Sequence, residues 1–213
     1  EGPTLRQWMH DHPEPALDQV RDIIGQLALG LRAFHRKEMI HQDLKPENIV
    51  IDPDGTVKII DFGSAKIAGL EEIASPAEGP GLLGTIDYAA PEYLIGQVPT
   101  NRSDIYSLGV IVYEMFTGFL PYGHRMEKCR SREDFLRMRY VPSYHHRDLI
   151  PFWFDRALEK AVSIEPEQRY EALQGFLRDL KQPNPEFLKE DPQRPVEKDM
   201  LLFWKMLSFV LFG

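Results

Sequence analysis

The sequence predicts an α+β fold, predominantly helical, with one small β-hairpin. Three observations predict it. An apolar stripe at Leu17, Val20, Ile24, Leu27, Leu31 and Phe34 recurs at steps of three and four, the period of an amphipathic helix. Two short strand-like runs, Asn48-Ile49-Val50-Ile51 and Val57-Lys58-Ile59-Ile60, flank Asp52-Pro53-Asp54-Gly55, whose Pro and Gly positions suit a tight turn, so the runs pair as a hairpin. Residues 105–116 are apolar on almost every side, as in a helix buried at the centre of a domain.

The remaining elements follow in order. Pro13-Glu14-Pro15 precedes the first stripe, where its helix starts. After the hairpin, a Gly-, Pro- and Ser-rich stretch over 63–84 has no sustained period and reads as a long loop. Loops of that length inside a compact domain are usually functional. Helical patterns return over 133–139, 148–162 and 167–180. From 182 to 199 the composition shifts, with Pro183, Pro185, Pro192 and Pro195 set among charges, the mark of a linker. Residues 200–213 are nearly all apolar. No internal repeat is present.

Composition narrows the function classes. The 213 residues are 43% hydrophobic and 27% charged, an ordinary globular balance rather than a disordered one. The net charge of −8 argues against binding a nucleic-acid backbone, which needs a basic stripe. A single cysteine, Cys129, excludes an intramolecular disulfide framework and a Cys-rich zinc module. The opening Glu1-Gly2-Pro3-Thr4 is neither basic nor apolar, so no secretory signal is expected and the protein reads as cytoplasmic.

Three short motifs carry the chemistry. His41-Gln42-Asp43-Leu44-Lys45-Pro46-Glu47-Asn48 lies between the long helix and the first strand; Asp61-Phe62-Gly63 directly follows the second strand; Ala90-Pro91-Glu92, preceded by Gly84-Thr85, closes the long loop. In that order and context they resemble the signature of eukaryotic-type serine/threonine protein kinases. The resemblance covers residues 1–181 and implies a protein-kinase-like C-lobe, its small hairpin carrying the active-site loops, with the N-lobe missing. It also implies ATP and Mg²⁺ (Mn²⁺ as the alternative) as cofactors, and protein substrates bearing Ser or Thr hydroxyls.

Phosphoryl transfer needs positioning and charge neutralisation more than covalent chemistry. By resemblance, Asp61 offers a carboxylate to a hard cation and Asn48 adds an amide oxygen. Asp43 accepts the substrate hydroxyl's proton and aims its oxygen; a carboxylate is a weak base, so orientation is its larger contribution. Lys45 places a positive charge beside the transferring phosphate. Thr85 matches the threonine that faces the catalytic Asp and Lys in serine/threonine kinases. Asp104 corresponds to the acid that hydrogen-bonds the catalytic-loop backbone, Glu92 and Arg169 to the family's buried ion pair, and His41 to a scaffold residue rather than an acid–base catalyst.

Departures qualify the resemblance. Gln42 stands where most of the family has the arginine that gathers a loop phosphate, so loop phosphorylation through this position is not expected to be the switch; Ser75 is a weakly nominated site elsewhere in the loop. Without a Gly-rich loop, strand lysine and helix glutamate, the chain alone is expected to bind ATP poorly and transfer little. A pseudokinase-type interaction module is the alternative.

Several features read as structural. Gly79-Pro80-Gly81-Leu82-Leu83-Gly84 satisfies G-x-G-x-x-G but lies in the loop without the flanking strand a phosphate cradle requires. Lys58 reads as a strand-surface lysine. Asp52-Pro53-Asp54-Gly55 lacks the spacing of a calcium loop. His10, His12, His145 and His146 have no partner pattern for a metal, and Cys129, amid charges, reads as an ordinary thiol. Residues 200–213 are too few to span a bilayer, which needs about 20. Lys189, Arg194 and Lys198 precede them as a cytoplasmic flank would, and Lys205 near an end can snorkel. The reading is a truncated membrane anchor at the cytoplasmic face, with a docking helix as the alternative. The His-Gln-Asp loop together with this tail is similar to bacterial kinase–phosphatase fusion proteins.

Overall fold

The computed structural model describes residues 2–61, 66–67 and 86–189. Phe62, Gly63, Ser75, the Gly79–Gly84 run, Thr85 and the tail over 200–213 lie outside the described residues.

A short helix opens the chain. α1 (Leu5–Asp11) is started by a capping box in which Thr4 Oγ1 accepts from the Gln7 amide and Gln7 Oε1 accepts from the Thr4 amide, satisfying two donors the helix cannot pair itself. Seven residues are too few for a periodic signal, so the sequence reading missed it.

α2 (Leu17–His35) is the predicted amphipathic helix, burying Val20, Ile23, Ile24, Leu27, Ala28 and Leu31. Two-residue strands follow: β1 (Met39–Ile40) pairs antiparallel with β4 (Lys66–Ile67), a second, unpredicted strand pair. The predicted hairpin is present as β2 (Ile49–Ile51) and β3 (Val57–Ile59), with Ile49 opposite Ile59 and Ile51 opposite Val57. Asn48 belongs to the 3₁₀ turn Pro46–Asn48 rather than to the strand. Gln26 of α2 clamps the hairpin at both polarities: its Nε2 donates to Gly55 O at 3.0 Å and its Oε1 accepts from the Val57 amide at 2.9 Å.

α3 (Pro91–Leu94) is one turn long. α4 (Asn101–Thr117) is the predicted central helix. A Thr100–Ser103 capping box starts it, and Gly118 ends it in the left-handed conformation at φ +74°, which glycine adopts without a Cβ clash. Nearly every side chain from 103 to 116 is buried, and each large apolar one stabilises the fold by about 1.5–3 kcal/mol relative to exposure. α2 and α6 (Phe152–Ala161) pack on it, and Gly109 permits the close approach: a Cβ there would meet Ala161 Cβ and Val162 Cγ1 at 2.9 Å.

Three predicted boundaries need correction. The pattern over 133–139 forms only α5 (Arg132–Leu136), capped by Ser131. The pattern over 148–162 becomes helical only at Phe152, because Pro151 holds extended backbone at the N-cap and disfavours helix in the residue before it. The pattern over 167–180 splits into a 3₁₀ turn (Pro166–Gln168) and α7 (Leu173–Lys181), with Arg169 extended between them. The predicted linker opens with a further turn of helix, α8 (Pro185–Leu188), capped by Asn184, whose Phe187 is buried against the body. Among the described residues no helix is long and apolar enough to cross a membrane.

Candidate active site

The loop between β1 and the Pro46–Asn48 turn gathers the first three candidate residues. Asp43 Oδ2 lies 2.9 Å from Lys45 Nζ and accepts from Asn48 Nδ2, also at 2.9 Å. The same Nδ2 donates to the Asp43 carbonyl at 2.8 Å. One amide thus grips both the backbone and the side chain of Asp43, which leaves its carboxylate little rotational freedom. Charge-assisted contacts of this length are the strong ones.

The loop backbone is held from beneath by Asp104, in the first turn of α4. Its carboxylate accepts from the His41 amide at 3.0 and 3.2 Å and the Gln42 amide at 3.2 Å, and meets His35 Nε2 at 2.9 Å. Asp104 is fully buried, so these partners offset a desolvation cost that would otherwise run to several kcal/mol. Gln42 sits at φ +67°, an unfavourable conformation for a non-glycine residue. The hydrogen bond its backbone N–H donates to Asp104 is part of what holds it there. His35 was missed by the sequence reading; the available signal was a polar residue closing an apolar stripe.

His41 is wholly buried beside the Phe34 ring, 6.0 Å between centroids. Burial pushes its pKa below the ordinary 6.5, although Asp104, Asp43 and Asp61 pull the other way. A buried neutral imidazole fits a scaffold role.

Asp61 is exposed at the end of β3, at φ +63°. The preceding amide, of Ile60, donates to the Asn48 carbonyl at 2.8 Å, which ties the Asp61 segment to the turn that carries Asn48. Asn48 Nδ2 faces Asp43, so its Oδ1 is turned away from that carboxylate. Asn48 Oδ1 and the Asp61 carboxylate are hard oxygen donors of the kind Mg²⁺ accepts; Mg²⁺ commonly takes one or two protein carboxylates and completes its shell with water and phosphate. Among the described residues no group of three or more His, Cys, Asp or Glu could hold a metal ion.

Behind the site, Arg169 and Glu92 form a bidentate buried pair, Nη1–Oε1 at 2.8 Å and Nη2–Oε2 at 2.7 Å. The other Arg169 donors reach the carbonyls of Arg102, Ser163 and Ile164, and Ser103 Oγ donates to Glu92. Every guanidinium N–H has an acceptor. Thr85, expected opposite Asp43 and Lys45, lies outside the described residues.

The residues read as structural are placed accordingly. Lys58 pairs with Asp52 across the hairpin turn. His146 stacks on Phe119 with centroids 4.2 Å apart, and His145 packs edge-on against Tyr144. Cys129 is half-buried with Sγ 3.4 Å from Met138 Sδ, and burial and Asp134 push its pKa up, as expected for an ordinary thiol.

Comparison with known proteins identifies the family. The pattern described as "Protein kinase domain" matches residues 1–184. The chain is 32% identical over 180 residues to the serine/threonine-protein kinase PknB of Mycolicibacterium smegmatis, covering 84% of this chain and 28% of that protein. It is 30% identical over 190 residues to the serine/threonine-protein kinase PrkC of Bacillus subtilis, covering 85% and 27%. With the serine/threonine-protein kinase PknL of Mycobacterium tuberculosis it shares 39% identity over 178 residues, covering 80% and 42%. The chain therefore spans less than half the length of these relatives. With a family match over most of its length, and with the candidate catalytic loop assembled as described, the chain belongs to the protein kinase domain family.

Proposed function

We propose that residues 1–181 supply the catalytic-loop side of a serine/threonine protein kinase, which transfers the γ-phosphate of ATP to Ser or Thr hydroxyls of protein substrates. The observation that carries this reading is the convergence of Lys45 Nζ and Asn48 Nδ2 on one oxygen of Asp43. It leaves the Asp43 carboxylate aimed and the Lys45 ammonium beside it. Asp43 orients the substrate hydroxyl and receives its proton as the oxygen bonds to the γ-phosphorus and the bond from that phosphorus to the bridging oxygen breaks, releasing ADP. Lys45 stabilises the negative charge on the transferring group. Asn48 and Asp61 would hold the divalent cation, and the resemblance assigns Thr85 to the substrate side. When bound, the cation neutralises phosphate charge. His41, Asp104, Glu92 and Arg169 keep the loop in register.

In support of the hydroxyl specificity, the relatives named above are serine/threonine-protein kinases. The apolar run over 200–213, with Lys189, Arg194 and Lys198 before it, supports attachment to the cytoplasmic face of a membrane.

The test uses the protein carrying this sequence, at its natural length, with [γ-³²P]ATP, Mg²⁺ and a generic basic protein. Label should appear on Ser or Thr, and Asp43→Asn should abolish it. Equal incorporation by Asp43→Asn and the parent, or none by either, would overturn the reading and favour an interaction module.

A further inference from the structure

Arg6, in the first turn of α1, belongs to none of the groups described above, yet its guanidinium meets acceptors on three separate elements. Nε donates to Glu47 Oε1 at 2.8 Å and Nη1 to Glu114 Oε1 at 2.8 Å. Nη2 donates to the Tyr88 hydroxyl, which in turn donates to Glu114. The carboxylates of Glu114 and Glu47 outweigh partial burial and raise the Arg6 pKa, so the guanidinium stays charged. Burial and the Glu114 carboxylate push the Tyr88 phenol up, so it stays a donor.

The three partners differ in what they control. Glu47 immediately precedes Asn48 in the Pro46–Asn48 turn. Glu114 is on α4, the helix that also carries Asp104. Tyr88 ends the 3₁₀ turn (Ile86–Tyr88) that leads into Pro91 and Glu92. Arg6 therefore ties the turn carrying Asn48 both to the buried central helix and to the segment that begins at Ile86.

We propose that Arg6 is a positioning residue for phosphoryl transfer: by holding Glu47 against Glu114 and Tyr88 it fixes the turn that presents Asn48, and through Asn48 the aim of Asp43. The inference rests on the phosphotransfer reading above. Its mechanical path is short. Asn48 Nδ2 is bonded to Asp43 twice, so a rotation of the turn moves the Asp43 carboxylate with it. The planar, many-donor geometry of arginine is required; a lysine ammonium is one compact charge and cannot serve three separated acceptors with the same fixed geometry. Misaiming a catalytic group by a fraction of an ångström affects turnover more than nucleotide affinity.

The protein at its natural length is assayed for kcat and for KM of ATP and of a peptide substrate, with Asp43→Asn as the inactive reference. Arg6→Ala should lower kcat on the order of tenfold while KM for ATP stays within about twofold. Arg6→Lys should be impaired to a similar extent, and added guanidinium ion should restore part of the activity of Arg6→Ala. Glu47→Ala, at a half-exposed position, removes the acceptor of Arg6 Nε, leaves the Arg6–Glu114 contact in place and should also lower kcat. The double variant should be no worse than Arg6→Ala, because both remove one linkage. Wild-type kcat in Arg6→Ala or Glu47→Ala would overturn the proposal. So would a loss in Arg6→Ala that tracks its folded fraction by circular dichroism and ignores guanidinium. A wild-type protein no more active than Asp43→Asn would instead overturn the phosphotransfer reading, and this proposal with it.

Discussion

Glu92 and Arg169, 77 residues apart in sequence, meet through two parallel hydrogen bonds of 2.7 and 2.8 Å with both side chains buried. The pair joins α3 to the extended residue between the Pro166–Gln168 turn and α7, and the Arg169 guanidinium lies over the Tyr106 ring at 4.8 Å. Removing one partner strands a charge that water cannot reach. Arg169→Ala should therefore cost about 3–5 kcal/mol, while replacing both residues by apolar ones of similar volume should cost much less. Urea unfolding of both variants checks this; equal destabilisation would contradict it.

Asp104→Asn keeps the shape but removes the charge, and turns an amide donor toward groups that already donate. The loop amides of His41 and Gln42 should lose protection from hydrogen exchange. Phosphotransfer should fall on the order of a hundredfold, because orientation at Asp43 depends on that backbone. Exchange measured by mass spectrometry and initial rates report the two effects separately.

His41 makes stability depend on pH. Its folded pKa lies below the ordinary 6.5 because of burial, so the unfolded chain binds more protons in the interval between the two values. Stability is then full above about pH 6.5 and falls as pH drops through the folded value. His146, also lowered by burial and by His145, adds a contribution of the same sign. In His41→Phe the loss of unfolding free energy between pH 7 and pH 5 should be smaller than in the parent. Parallel pH profiles for the two proteins would exclude His41 as a source.

At Gly109 the contact distance sets the expectation. A Cβ would stand 2.9 Å from both Ala161 Cβ and Val162 Cγ1, forcing α4 and α6 apart. Gly109→Ala should destabilise by about 1–3 kcal/mol despite its better helix propensity. Adding Ala161→Gly should recover part of that loss, leaving the Val162 contact. Thermal melts of the single and double variants decide it.

What the sequence made legible was governed by local rules. α2 carries enough turns for its period to show, α4 stands out as a run apolar on almost every side, and the Asp52–Gly55 turn chemistry announced the β2–β3 hairpin. Asp43, Lys45, Asn48 and Asp61 could be named as candidates because their motifs resemble the protein kinase signature. What stayed hidden depends on short elements or distant partners. α1 is marked only by Thr4 and Gln7, and β1 and β4 are two residues each, below any alternation. α7 begins late because Arg169 is drawn out to Glu92, and Phe187 is buried although it sits among prolines and charges. His35 and Arg6 reach Asp104 and Glu114 across 69 and 108 positions, which no window along the chain can see.

The positive φ of Asp61, +63°, places two independent filters on one codon. Left-handed backbone is tolerated by glycine, asparagine and aspartate and resisted by β-branched side chains, whereas the cation-binding role proposed for Asp61 would favour a charged carboxylate. Descendants of this protein that lost the need for a cation should therefore first show asparagine or glycine at position 61, keeping the bend while discarding the charge. A bulkier residue there should appear only in lineages where this stretch of backbone has been rebuilt.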